Sequence, residues 1–192
     1  MAGGVNICAL DELFFSYIYK VLISKGVYMN VYLVIGDADM GKSSVLRHLV
    51  AFSNGNGKSI RTKTLATTHG TIEISFYGYQ ALQEHGTLPR EFIDLVNDQF
   101  KKDLPENLIL ALRLNATKKT SKVQACPDAD AYIRAFIKEG WTIFQSFVLD
   151  GSGKATYPKH WNAQSILSRP AQGKAVPTNQ MAANIRNPLG WI

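Results

Sequence analysis

One stretch constrains this chain more than any other. Asn30-Val-Tyr-Leu-Val-Ile35 is apolar and β-branched, and it reads as a buried strand. It runs without a gap into Gly36-Asp-Ala-Asp-Met-Gly41-Lys42-Ser43-Ser44, which fits the pattern G-x-x-x-x-G-K-[ST]. Val45 to Phe52 follows, apolar at 45, 46, 49, 50 and 52, and Asn54-Gly55 closes that helical face. Strand, glycine-bearing loop and helix in this order can build an anion site. Gly36 and Gly41 let the backbone curl so that successive N–H groups converge on one point. The helix adds its unsatisfied first-turn amides and the positive end of its dipole. Lys42 is a compact cation able to reach a β- or γ-phosphate, the Ser43 hydroxyl is placed to ligate Mg2+, and Ser44 lies one residue deeper. Asp37 and Asp39 oppose an anion here unless their side chains face solvent.

Gly36 to Ser44, with the flanking strand and helix, resembles the Walker A loop of the P-loop NTPase superfamily. The resemblance covers residues 30–52 and does not single out a family. It implies an α/β fold and a nucleoside triphosphate, ATP or GTP, bound with Mg2+. It further implies Gly36, Asp37, Ala38, Asp39, Met40, Gly41, Lys42, Ser43 and Ser44 as the phosphate-binding set, with Lys42 in catalysis and Ser43 on the metal. Such enzymes carry a second acid at the end of a hydrophobic strand. Trp141 to Asp150 fits by pattern and makes Asp150 a candidate for metal and catalysis, although Asp150-Gly151 also reads as a turn. Glu73, within Thr71-Ile-Glu-Ile-Ser-Phe76, is the other candidate. Asn115-Ala-Thr-Lys118 has the Asn of a guanine-reading loop without its Asp, so ATP and GTP stay open.

Three further segments have two readings each. Thr62 to Gly70, with its hydroxyls and His69, is either a switch-like loop meeting a γ-phosphate or a plain hairpin. Lys118-Lys-Thr-Ser-Lys122 is either a lid over phosphates or a solvated loop. Arg113 shares a face with Ile109 and Ala111 if 108–114 is a strand, and then reaches the nucleotide end as a charge stabiliser; in a helix it would be a surface residue.

The periodicity predicts strands at 30–35, 60–66, 71–77, 108–114 and 142–149. Pro89–Lys102 and Asp128–Lys138 read as amphipathic helices, the first with proline in its first turn, the second opened by acids and stopped by Gly140. Alternating strands and helices predict an α/β fold with a mainly parallel sheet of about five strands flanked by helices. The connection between 60 and 77 is too short for a crossover, so that pair should be antiparallel.

The remainder divides the chain into three. Residues 1–28 form an extension whose apolar run, Leu13 to Ile23, is interrupted by Lys20 and too short for the ~20 residues of a membrane span. Its spacing predicts an amphipathic helix, packed on the domain or used to grip a membrane surface or partner. Residues 29–150 form the P-loop-like domain. Residues 151–192 carry Lys154, Lys159, Arg169, Lys174 and Arg186 and no acid, so most of the net charge of +6 sits there. With four of the seven prolines it reads as an irregular basic tail. Tyr157, Trp161 and Trp191 argue that parts of it dock, on the domain itself or on a protein partner; nucleic acid is the less favoured occupant. At 46% hydrophobic residues the 192-residue chain can bury a core. Cys8 and Cys126 make no disulfide framework or zinc motif, and the chain reads as cytoplasmic. Three functions follow: Mg-dependent hydrolysis of a nucleoside triphosphate, transfer of its phosphoryl group as in a nucleotide or small-molecule kinase, or nucleotide binding without turnover in a module whose tail engages a protein or nucleic-acid partner.

Overall fold

A computed structural model describes residues 29–50, 59–101, 103–168 and 175–192. Residues 1–28, and with them the expected N-terminal helix, lie outside the described residues, as do Phe52 and Asn54-Gly55. The strands are β1 (Asn30–Gly36), β2 (Ile60–Thr67), β3 (Gly70–Tyr77), β4 (Asn107–Arg113), β5 (Thr142–Asp150) and β6 (Ala163–Leu167). The helices are α1 (Lys42–Val50), α2 (Pro89–Phe100), α3 (Ala129–Lys138) and α4 (Thr178–Leu189). Short 3-10 turns occupy Leu82–His85 and Lys159–Trp161.

The six strands form one sheet in the order β2-β3-β4-β1-β5-β6. β1 lies in the middle, parallel to β4 from Asn30↔Asn107 to Gly36↔Arg113 and parallel to β5 from Asn30↔Thr142 to Gly36↔Leu149. β3 and β6 also pair in parallel, and β2 alone runs antiparallel, against β3. The expected strands and the antiparallel pair are therefore present, and residues 108–114 are a strand rather than a helix.

Strand alternation sorts the apolar residues into two layers. Val31, Leu33, Ile35, Leu108, Leu110 and Leu112 face one side, where Phe92, Ile93 and Val96 of α2 and Tyr132, Ile133 and Phe136 of α3 cover them. Tyr32, Val34, Ile109 and Ala111 face the other, against Val45, Leu46, Leu49 and Val50 of α1. Helix starts follow local chemistry. Asp128 accepts a hydrogen bond from the Ala131 N–H at 3.1 Å, and Pro89 opens α2 while Glu91 accepts from the Leu88 N–H at 2.8 Å.

The segment 151–192 departs from its expected irregularity. Ala163–Leu167 is the sixth strand, pairing with β5 from Ser146↔Ala163 to Asp150↔Leu167. Thr178–Leu189 is a helix whose Met181, Ala182 and Ile185 are buried in the α1 layer. Prolines and polar residues hid both elements: the strand is five residues long and Pro188 falls inside the helix. Trp161 is 5% exposed and Trp191 6% exposed. Their rings are packed against Tyr157 and Tyr32, respectively, so a tail that stacks bases loses both.

Candidate functional site

The loop between β1 and α1 stands at the carboxyl end of the central strand, where parallel sheets of this kind place their ligands. Two glycines shape it. A Cβ on Gly36 would come within 3.2 Å of the Leu149 Cβ and carbonyl oxygen, so the close approach of β5 favours glycine, a larger residue requiring β5 to give by a few tenths of an ångström. Gly41 has φ +85°, a conformation that L side chains rarely adopt. Asp39 takes φ 60° between them. The helical ladder starts with the Val45 N–H, which donates to the Gly41 carbonyl at 2.9 Å. Lys42, Ser43 and Ser44 thus supply the first-turn amides that no turn of helix precedes.

Asp39, Gly41, Lys42, Ser43, Ser44 and Glu84 line a cavity of about 530 Å³. Lys42 is 4% exposed, and its Nζ donates to the Asp37 carbonyl at 2.6 Å and lies 3.8 Å from Glu84 Oε1. Burial pushes its ammonium below the usual lysine range; Glu84 opposes that shift and Arg113 reinforces it. Arg113 ends β4 beside Gly36, and its buried Nε has no hydrogen-bond partner among the described residues. Arg113 lies behind the cavity wall rather than among the residues that line it.

Glu84 is the acid that the sequence reading missed. It sits in the 3-10 turn Leu82–His85, not at a strand end. Its neighbour Gln83 is fully buried and clamps the turn to β4, donating to the Arg113 carbonyl at 3.0 Å and accepting from the Arg113 N–H at 3.0 Å. A polar Gln-Glu pair in a short turn carries no strand-and-acid pattern, and only the fold brings it to Lys42.

Of the two expected acids, Glu73 lies at the far end of the sheet and Asp150 is tied into a turn beside the loop. The Glu73 carbonyl accepts from the side chain of Asn107, whose backbone is level with Asn30 at the amino end of β1. At about 3.3 Å per residue that end stands roughly 20 Å from Gly36. Glu73 is exposed there and does not reach the loop, which corrects its assignment to catalysis. The β2–β3 turn with His69 is at the same remote end, so Thr62 to Gly70 is a hairpin and not a switch at the cavity. Asp150 ends β5 on the loop's side of the sheet, but its carboxylate is fully engaged. It accepts from the Ser152 and Gly153 amides at 2.7 and 2.6 Å, from the Ser152 hydroxyl at 3.0 Å, from Tyr157 at 3.1 Å and from Ser165. Burial alone would raise its pKa, yet these donors hold the carboxyl below the usual range. Asp150 is thus the cap of a turn, and Glu84 replaces it as the acid facing Lys42.

Asn115, after β4, donates to the Asp37 carboxylate at 2.6 Å and ties down the loop from outside. Lys118, Lys119 and Lys122 are exposed on a small hairpin closed by bonds between Thr117 and Cys126 of 2.9 and 3.2 Å. Gln124 anchors that hairpin to the Gly86 carbonyl at 2.6 Å. No group of three or more His, Cys, Asp or Glu among the described residues is placed to hold a metal ion. No helix among them is long and apolar enough to cross a membrane. Compared with protein-family models, curated proteins and solved structures, the chain matches none.

Proposed function

We propose that the cavity binds a nucleoside triphosphate with Mg2+ and hydrolyses it. The observation that carries this reading is the pairing of a buried lysine with first-turn helix amides in one cavity at the carboxyl end of the central strand. Lys42 would neutralise phosphate oxygens, and the amides of Lys42, Ser43 and Ser44 would cradle one phosphate. Ser43 is the hydroxyl available to Mg2+, with Glu84 as the nearest acid. The metal, when bound, supplies charge neutralisation across the phosphates. Lys42 donates to the Asp37 carbonyl; a phosphate would offer a charged acceptor in its place. Glu84 would then orient the attacking water and accept its proton.

A second reading is binding without turnover. It is favoured by the saturation of Asp150, which leaves Glu84 and Asp39 as the acids at the cavity. A thermal-shift panel of ATP, GTP and their diphosphates, with and without Mg2+, tests the site. A ligand that binds only the folded state at about 100 times its Kd adds roughly 2.7 kcal/mol of stability, enough for a rise of several degrees. No rise with any nucleotide contradicts the proposal. Phosphate release without an acceptor supports hydrolysis; binding with no release supports the second reading; nucleoside diphosphate and phosphorylated acceptor formed without free phosphate move the assignment to a kinase.

A further inference from the structure

The C-terminal helix touches the phosphate loop itself. Met181, Ala182 and Ile185 fall on one face of α4, and that face is buried in the layer containing α1. The Met181 Cε lies 3.3 Å from where a Cβ on Gly41 would stand. Just upstream of the helix, Ser168 is 1% exposed and its hydroxyl donates to the Asp150 carbonyl at 3.0 Å and to Met40 Sδ at 3.4 Å. The Ser168 carbonyl in turn accepts from the Val176 N–H at 2.8 Å. At the far end of α4, Arg186 donates to the carbonyls of His48 and Leu49, which close α1. The tail thus meets Met40 and Gly41, two consecutive loop residues, and then clasps the last turn of the helix that follows them.

We infer that residues 163–168 and 175–192 form the back wall of the phosphate cradle, with Met181 and Ser168 as positioning residues for the Met40–Gly41 corner. Glycine loses more conformational freedom on ordering than any other residue, so an unsupported Gly41 would let the following amides swing away from a common focus. Met181 fills the space on the side of Gly41 where a side chain would otherwise stand, and Ser168 fixes the neighbouring Met40. The corner is held in the shape that presents its amides before any anion arrives, which reduces the cost of binding. The ligand named here rests on the phosphate reading; the support of the corner does not.

Hydrogen exchange of the ligand-free full chain separates the two. Met181→Ala and Ile185→Ala both empty volume from the same face of α4, one turn apart, and both lower the melting temperature. If Met181 positions the corner, exchange at the Val45 amide, which is bonded to the Gly41 carbonyl, speeds up roughly tenfold more in Met181→Ala than in Ile185→Ala, and Met181→Leu restores the wild-type rate. Equal acceleration in the two alanine variants, or none in either, overturns the inference. The same variants are titrated with magnesium tripolyphosphate. Met181→Ala should weaken binding about tenfold and Ile185→Ala less than about twofold. Equal affinities overturn the claim that the wall serves the ligand. Wild-type protein that binds no tripolyphosphate, with the exchange contrast intact, removes the phosphate reading and leaves the positioning role standing.

Discussion

Glu84 is the residue on which turnover depends in this account. It faces Lys42 at 3.8 Å across the cavity; Asp39 also lines the cavity, whereas Asp37 is paired with Asn115 and Asp150 is held in its own turn. Glu84→Gln keeps the shape and removes the base. Nucleotide binding should survive while phosphate release falls by about 100-fold or more, read by single-turnover assay. Unchanged release would exclude Glu84 from the chemistry. A separate prediction concerns acid stability. Asp130, in the first turn of α3, accepts from Trp161 at 2.8 Å, from His160 at 2.7 Å and from Arg134 at 2.5 Å. Burial opposes ionisation, but these donors outweigh it and hold the carboxyl down to about 2. A carboxyl whose folded pKa lies below its ordinary 3.8 stabilises the fold above that value, and the gain fades as pH falls through about 2. Asp130→Asn should therefore lower the melting temperature at pH 7, and the gap from wild type should narrow between pH 4 and pH 2. A gap that is constant with pH would show that ionisation of Asp130 does not matter.

Among the elements, those written in strong periodicity were legible and those assembled from fragments were not. β1, the loop and α1 announce themselves because an unbroken apolar strand precedes two glycines and a lysine. β4 was ambiguous, since Leu108-Ile-Leu-Ala-Leu suits a helix as well as a strand, and its place beside β1 decided the matter. Arg113 then took the position expected of it in a strand. β6 and α4 were missed because tertiary contacts, not local pattern, hold them: β6 borrows its ladder from β5, and α4 borrows its apolar partner from α1. Glu73 was misplaced for a related reason. A strand's face can be read from alternation, but which end of the sheet a residue occupies depends on register, and register is long-range. The clasp of Arg186 on α1 yields a prediction at this scale. Its guanidinium meets the carbonyls of His48 and Leu49, where the negative end of the helix dipole is concentrated. Arg186→Ala should cost about 1 kcal/mol in urea denaturation and Arg186→Lys should recover part of it. A loss within error would mean the bond is not maintained in solution.

Across the whole molecule, connection and charge converge on one end of the sheet. β4 and β5 flank β1 in parallel, so the three carboxyl ends gather the loop, Arg113 and the Asp150 turn around a single edge. The 3-10 turn after β3 brings Glu84 to that edge, and Ser168 with α4 closes it from behind. The excess positive charge of the C-terminal segment is in part a structural feature, since Arg186 is engaged by α1 and the two tryptophans are packed. What unites these features is the cavity where Lys42 meets the first-turn amides of α1, the proposed phosphate site. Titration calorimetry of Mg·ATP and Mg·GTP into the wild-type chain and into Lys42→Ala tests this most directly. Saturable binding of at least one nucleotide by the wild type and a loss of about 100-fold or more in Lys42→Ala are expected, as befits removal of a buried charge partner. Equal affinities in the two proteins, or no heat of binding with either nucleotide, would contradict the phosphate reading.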